Sequence, residues 1–102
     1  MRSALLLAPA TLISACATPP PPANITMDEM DTDRKFLCAA DGVQSYVGQN
    51  ADRETGMEIL KASGARILRW GAPNSAWTMD YREDRVNVRY DRAMTITDIT
   101  CG

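Results

Sequence analysis

The chain has 102 residues, room for one domain, with a formal charge of −2 and no histidine. Without a basic cluster there is no electrostatic support for nucleic-acid binding, and without histidine no Ser-His or Cys-His catalytic pair can be assembled. The three cysteines lack the further partners that a zinc site needs, so neither a metal nor any other cofactor is expected.

The first residues, "MRSALLLAPATLISA", combine one positive charge, an apolar run of about a dozen residues and then small residues, the pattern of a secretory signal over 1–15. The run is too short and too poorly flanked for a spanning helix. It ends in Leu12-Ile13-Ser14-Ala15-Cys16, which resembles the bacterial lipobox. That resemblance implies cleavage before Cys16, lipidation of its thiol and anchorage in the bacterial envelope. Ala17, where an aspartate would resemble an inner-membrane retention signal, favours the outer membrane, facing the periplasm. The alternative is a plain signal cleaved nearby, with Cys16 incidental. Loss of Arg2 with the signal takes the charge from −2 to −3.

If Cys16 carries lipid, Cys38 and Cys101 remain as a pair, and in an oxidising compartment they should form a disulfide. Closing a loop of about 64 residues, it should stabilise by about 4 kcal/mol. A domain this small depends on such a staple.

Residues 16–35 follow as a lipidated tether: four consecutive prolines, then an acidic stretch poor in large apolar residues, semi-extended and unable to bury a core. The domain itself is expected over 36–102. A helix is predicted from about Ala51, with Asn50 as N-cap, Asp52 and Glu54 in the first turn, and Gly64 as its stop. Ala51, Thr55, Ile59 and Ala62 form a narrow apolar stripe along it. Gly56 in its middle costs about 1 kcal/mol against alanine, tolerable where a helix lies close on a sheet.

"ARILRW" predicts a short strand over 65–70, and "GAPNSAW" breaks it. "RVNVRYD" alternates Val86, Val88 and Tyr90 against Arg85, Asn87 and Arg89, a half-buried strand. "MTITDIT" predicts a further strand returning through a turn at Arg92-Ala93. The fold expected is α+β: a small single domain with one helix on a short mixed sheet, and one disulfide. Between the first two strands lies an exposed connection from Gly71 to about Asp84, and long ordered loops of this kind are usually functional.

That loop contains Asp80 and Asp84, a conceivable hydrolytic carboxylate pair, but a domain of about 67 residues has no room for a deep cleft, so no enzyme is expected. Taken singly, Met79 reads as core, the charges from Asp80 to Arg85 as a solvated turn, and Trp70 and Trp77 as packing residues.

Their joint order says more. "WTMDYREDRVNVRYD", Trp77 to Asp91, resembles the inhibitory loop of the potato inhibitor I family of serine-protease inhibitors. "YVGQNADRETG" is similar to that family's helix entry, and "ARILRW" occupies its strand before the loop. A cysteine before the helix, the "DYR-DR-NV" form of the loop and a final Cys-Gly resemble a small secreted bacterial and fungal branch that includes a fungal elastase inhibitor. The resemblance spans about 37–102.

It implies a reactive bond between Met79 and Asp80, within a protease-contacting loop of Trp77, Thr78, Met79, Asp80, Tyr81 and Arg82. Met79 would enter the primary specificity pocket of a subtilisin-, chymotrypsin- or elastase-like enzyme, for which an unbranched, polarizable side chain is suited. Arg82 reads equally as a surface charge or as a contact beyond the cut site. Arg85 corresponds to a supporting arginine whose partners should be Thr78 and Asp80. Asn87 stands where the plant members carry a second supporting arginine, and the Cys38–Cys101 disulfide would stiffen the scaffold in compensation. The chain is expected to act as a monomer. The competing reading is a non-inhibitory structural or adaptor lipoprotein on the same scaffold, for which Asn87 and the bulky Trp77 speak.

Overall fold

A computed structural model describes residues 20–27 and 35–102. The signal segment, Cys16 and the tether residues 17–19 and 28–34 lie outside the described residues.

The helix, α1, runs Arg53–Ser63 and starts two residues later than the sequence suggests, because its N-cap is Asp52 and not Asn50. Asp52 is extended at φ −121° and its carboxylate accepts the Thr55 N–H at 2.8 Å, satisfying a donor that the first turn leaves free. Asn50 is committed elsewhere, bridging Thr95, while the Ala51 N–H donates to the Met94 carbonyl at 2.7 Å. Gly64 ends the helix in the left-handed region at φ 77°, as predicted. The buried face is broader than the expected stripe: Thr55, Gly56, Ile59, Leu60 and Ser63 point inward, and Ala62 stays exposed. At Gly56 a Cβ would sit 2.6 Å from the Trp70 ring and 3.0 Å from Ile25 Cδ1, so the helix rests on the sheet at a distance only glycine permits.

The sheet has four strands in the order β1-β2-β3-β4. Strand β2 (Ile67–Gly71) pairs parallel with β3 (Arg85–Tyr90), which pairs antiparallel with β4 (Ile96–Cys101). Strand β1 (Ile25–Thr26) adds antiparallel to the free edge of β2. It lies in the stretch read as tether, and Ile25 is buried at 4 % exposure. One isoleucine in a polar, proline-rich context is invisible to an average over composition, yet it covers an edge that would otherwise present unpaired backbone. The same segment satisfies Trp70, whose indole N–H donates to the Ala23 carbonyl at 3.1 Å and whose backbone N–H donates to Asn24 Oδ1 at 3.0 Å.

The core lies between α1 and one sheet face, centred on Ile59, Leu60, Leu68, Val86, Val88 and Ile96. Trp70 meets Tyr90 edge-to-face with ring centroids 6.0 Å apart. A 3-10 helix at Asp41–Tyr46, which the sequence did not signal, drops Val43 into this core, and Gln44 donates to the Ile99 carbonyl at 2.9 Å. Cys38 and Cys101 form the expected disulfide, their Cα atoms 5.7 Å apart.

The β3 strand departs from the half-buried expectation. Val86, Val88 and Tyr90 face the core, but Arg85 and Asn87 on the other face are buried as well, at 7 % and 5 % exposure. Arg85 lies beneath the β2–β3 connection and Gly102, and Asn87 beside Arg69 and Gly102.

Candidate functional site

Strands β2 and β3 are parallel, so the chain must return the length of the sheet between them. Residues 72–84 make that return without a helix, across the face opposite α1. A turn at Pro73-Asn74, with Asn74 at φ 61° and Ser75 Oγ donating to the Ala72 carbonyl at 2.6 Å, sends the chain outward. Trp77 then folds back and is half-buried. Its ring lies over Gly71, where any Cβ would collide with it. The Arg89 guanidinium carbon is 3.8 Å from the ring centroid and that of Arg69 is 4.5 Å, both within cation–π range. Burial, then the neighbouring Arg85, lowers the pKa of Arg69.

Beyond Trp77 the loop leaves the protein surface. Met79 is 100 % exposed, between the exposed Thr78 and Asp80. The Thr78 hydroxyl donates to Asp80 Oδ1, and this bond first, then a backbone bond and the Arg85 guanidinium, holds the Asp80 carboxyl below its ordinary pKa. Arg85 spans from the sheet to the loop. Its Nη2 donates to the Asp80 carbonyl at 2.6 Å, its Nη1 lies 3.5 Å from the Asp80 carboxylate, and its Nε donates to the Gly102 oxygen at 2.8 Å. Asp80 is thus a partner of Arg85 as expected. Thr78 is not; its hydroxyl is committed to Asp80.

The descending arm is fixed to the body. Tyr81 is 74 % exposed, yet one edge of its ring packs at Gly102. The Arg82 N–H donates to the Gly102 oxygen at 3.3 Å, and the Cys38 N–H to the Glu83 carbonyl at 2.8 Å. The Asp84 carbonyl accepts the N–H groups of Arg66 and Ile67 at 2.7 and 3.1 Å. The Arg82 side chain forks onto Asp84 with two bonds of 3.0 Å, lowering that carboxyl's pKa and raising its own. In the free protein it is occupied by Asp84.

Asn87 accepts the Arg69 Nε–H at 3.0 Å. It does not reach the loop; it aligns an arginine that does. Sequence reasoning missed Arg69, Arg89 and Gly102. Arg89 carried a signal, since alternation put it on the polar face of its strand, but Arg69 meets Asn87 only through the parallel register that sets them opposite each other.

The result is a disulfide-closed α+β domain with an exposed peptide strapped to its body. Residues 38–102 match the model of the peptidase inhibitor I78 family, and the chain belongs to that family. Its role is that of a peptidase inhibitor and its partner a protease. Comparison with curated proteins and with solved structures finds no match.

Proposed function

We propose that the chain inhibits serine endopeptidases of the subtilisin, chymotrypsin or elastase type by offering Met79-Asp80 as a substrate-like bond, in the manner of potato inhibitor I. The observation that carries this reading is the fully exposed Met79 next to a residue whose carbonyl is held by a buried arginine. An exposed methionine surrounded by restrained backbone can fill an apolar specificity pocket with little loss of loop entropy, so its contacts appear as affinity.

The same restraint slows turnover. Attack of the protease serine on the Met79 carbonyl breaks the Met79–Asp80 bond, forms an ester at Met79 and delivers a proton to the Asp80 amine. In a flexible substrate that amine departs. Here Asp80 stays fastened through its carbonyl to Arg85, which is itself fastened to Gly102, so the amine remains beside the ester and the bond re-forms. Trp77 and Asn87 at first favoured a non-inhibitory adaptor; Trp77 packs the loop onto the sheet and Asn87 orients the Arg69 that meets it, and this supports the inhibitory reading.

In this reading the domain works from a lipid on Cys16, at the bacterial outer membrane facing the periplasm, as a monomer. Replacing Cys16 by Ser should abolish incorporation of labelled palmitate; persistent labelling would place the lipid elsewhere. The inhibitory activity is tested with the Cys16→Ser chain against subtilisin, chymotrypsin, elastase and trypsin. Tight inhibition of one or more of the first three is expected, and Met79→Lys should transfer it to trypsin. Rapid, complete digestion at Met79-Asp80 would overturn the proposal, as would no binding to any of them.

A further inference from the structure

We infer that Trp77, Arg69 and Asn87 form a second brace, which holds the residues before the reactive bond as Arg85 holds those after it. The inference rests on the reading of Met79-Asp80 as that bond. Every side-chain hydrogen bond of Arg85 to the loop falls on Asp80, on the amine side. Thr78 gives its hydroxyl to Asp80 and so ties the acyl side to the body only through that solvent-exposed carboxylate. Were the bond opened, the first residue of the chain ending at Met79 to be packed directly on the body would be Trp77.

The arrangement around Trp77 is specific in three respects. The ring closes onto Gly71, a position that no larger residue could occupy. It is contacted by Arg89, 3.8 Å from its centroid, whose Nη1 also reaches the Ser75 carbonyl at 3.4 Å, two residues up the same arm. It is contacted also by Arg69, whose Nε is oriented by Asn87 Oδ1 at 3.0 Å. Two guanidinium groups around one ring repel each other. The aromatic quadrupole and the Asn87 acceptor offset that repulsion. Asn87 therefore supplies through Arg69 and the indole what a longer cationic side chain would supply directly.

Trp77, Arg69 and Asn87 are positioning residues, because none is needed to enter the protease pocket. Trp77→Ala should free Thr78 and Met79 in the unbound protein, lowering their amide order parameters from about 0.85 towards 0.6. It should also weaken inhibition about tenfold, the equivalent of losing cation–π contacts on a half-buried ring, and speed scission of Met79–Asp80. Trp77→Phe should recover part of both effects. Arg69→Lys, which keeps the charge but not the planar group, should fall between Arg69→Ala and the parent.

A coupling test separates this from a general loss of stability. In the parent, Asn87→Ala should loosen Thr78 and Met79; in the Trp77→Ala background it should have no further effect on them. Unchanged order parameters in Trp77→Ala, or fully additive effects of the two substitutions, would overturn the brace. So would a Gly56→Ala control that, destabilised to the same melting temperature, loosens the loop equally. If the parent inhibits no protease, the reactive-bond reading fails, and the order parameters still decide whether the brace exists.

Discussion

Removing the Arg85 guanidinium separates the stability of the domain from the stiffness of its loop. The side chain is 9 % exposed, with its charge divided between the Gly102 oxygen at 2.8 Å and the Asp80 carbonyl at 2.6 Å. In Arg85→Ala the oxygen of the buried Gly102 loses a charged donor, a bond that contributes about 1.5–3 kcal/mol. With the packing of the alkyl stem, the expected loss of stability is about 2–4 kcal/mol. The ion pair with the Asp80 carboxylate adds little, because that group is open to solvent. Inhibition answers to a different quantity. Releasing about two loop residues means that docking must order them again at about 1–2 kcal/mol each, a rise in the inhibition constant of about 30- to 1,000-fold. Urea unfolding measures the first effect; progress curves with subtilisin, with chromatography of the cut chain, measure the second. Arg85→Lys retains a charge without the fork and should recover only part of either. A variant that loses stability as expected but inhibits as the parent does would refute the brace.

Replacing Cys38 and Cys101 together by Ser should lower the unfolding free energy by about 4 kcal/mol in urea, since the bridge closes most of the domain; a loss under about 1 kcal/mol would show that the terminus is held without it. Gly56→Ala improves helix propensity by about 1 kcal/mol but drives a methyl group to 2.6 Å from the Trp70 ring, so the melting temperature should fall. A rise would mean that α1 can lift off the sheet freely. The Asp80 carboxyl sits below the usual value of about 3.9, chiefly because of the Thr78 hydroxyl, so its contribution to loop order is complete above about pH 3.9 and is lost as pH falls through the depressed value. Carbon-13 titration of Asp80 should show that low midpoint, and Thr78→Val should raise it; identical midpoints would refute the bond.

Much of the scaffold could be read along the chain because its causes are local. A glycine at position 64 stops a helix wherever it occurs, alternating Val86, Val88 and Tyr90 makes a strand with a buried face, and a break as dense as "GAPNSAW" forces a loop. The pairing of Cys38 with Cys101 followed from parity once Cys16 was assigned elsewhere. Met79 became prominent only through the order of its neighbours, which is a matter of resemblance; its full exposure belongs to the folded loop.

The tertiary structure decided the rest. Local signals made Asn50 as good a cap as Asp52, and the choice fell to Asp52 because Asn50 is drawn into a bridge with Thr95, 45 residues away. Ile25 carries no periodic signal, and becomes a strand because β2 has an edge to cover. Asn87 looked like a missing strut while β3 was considered alone. Set opposite Arg69 by the parallel register, it orients the guanidinium that meets Trp77. By itself the sequence determined the helix, the main strands and the length of the loop, because their information lies within a few residues. Which side chains hold the loop depended on contacts between distant segments, which exist only once the sheet has closed and β4 has brought Gly102 beneath Arg85.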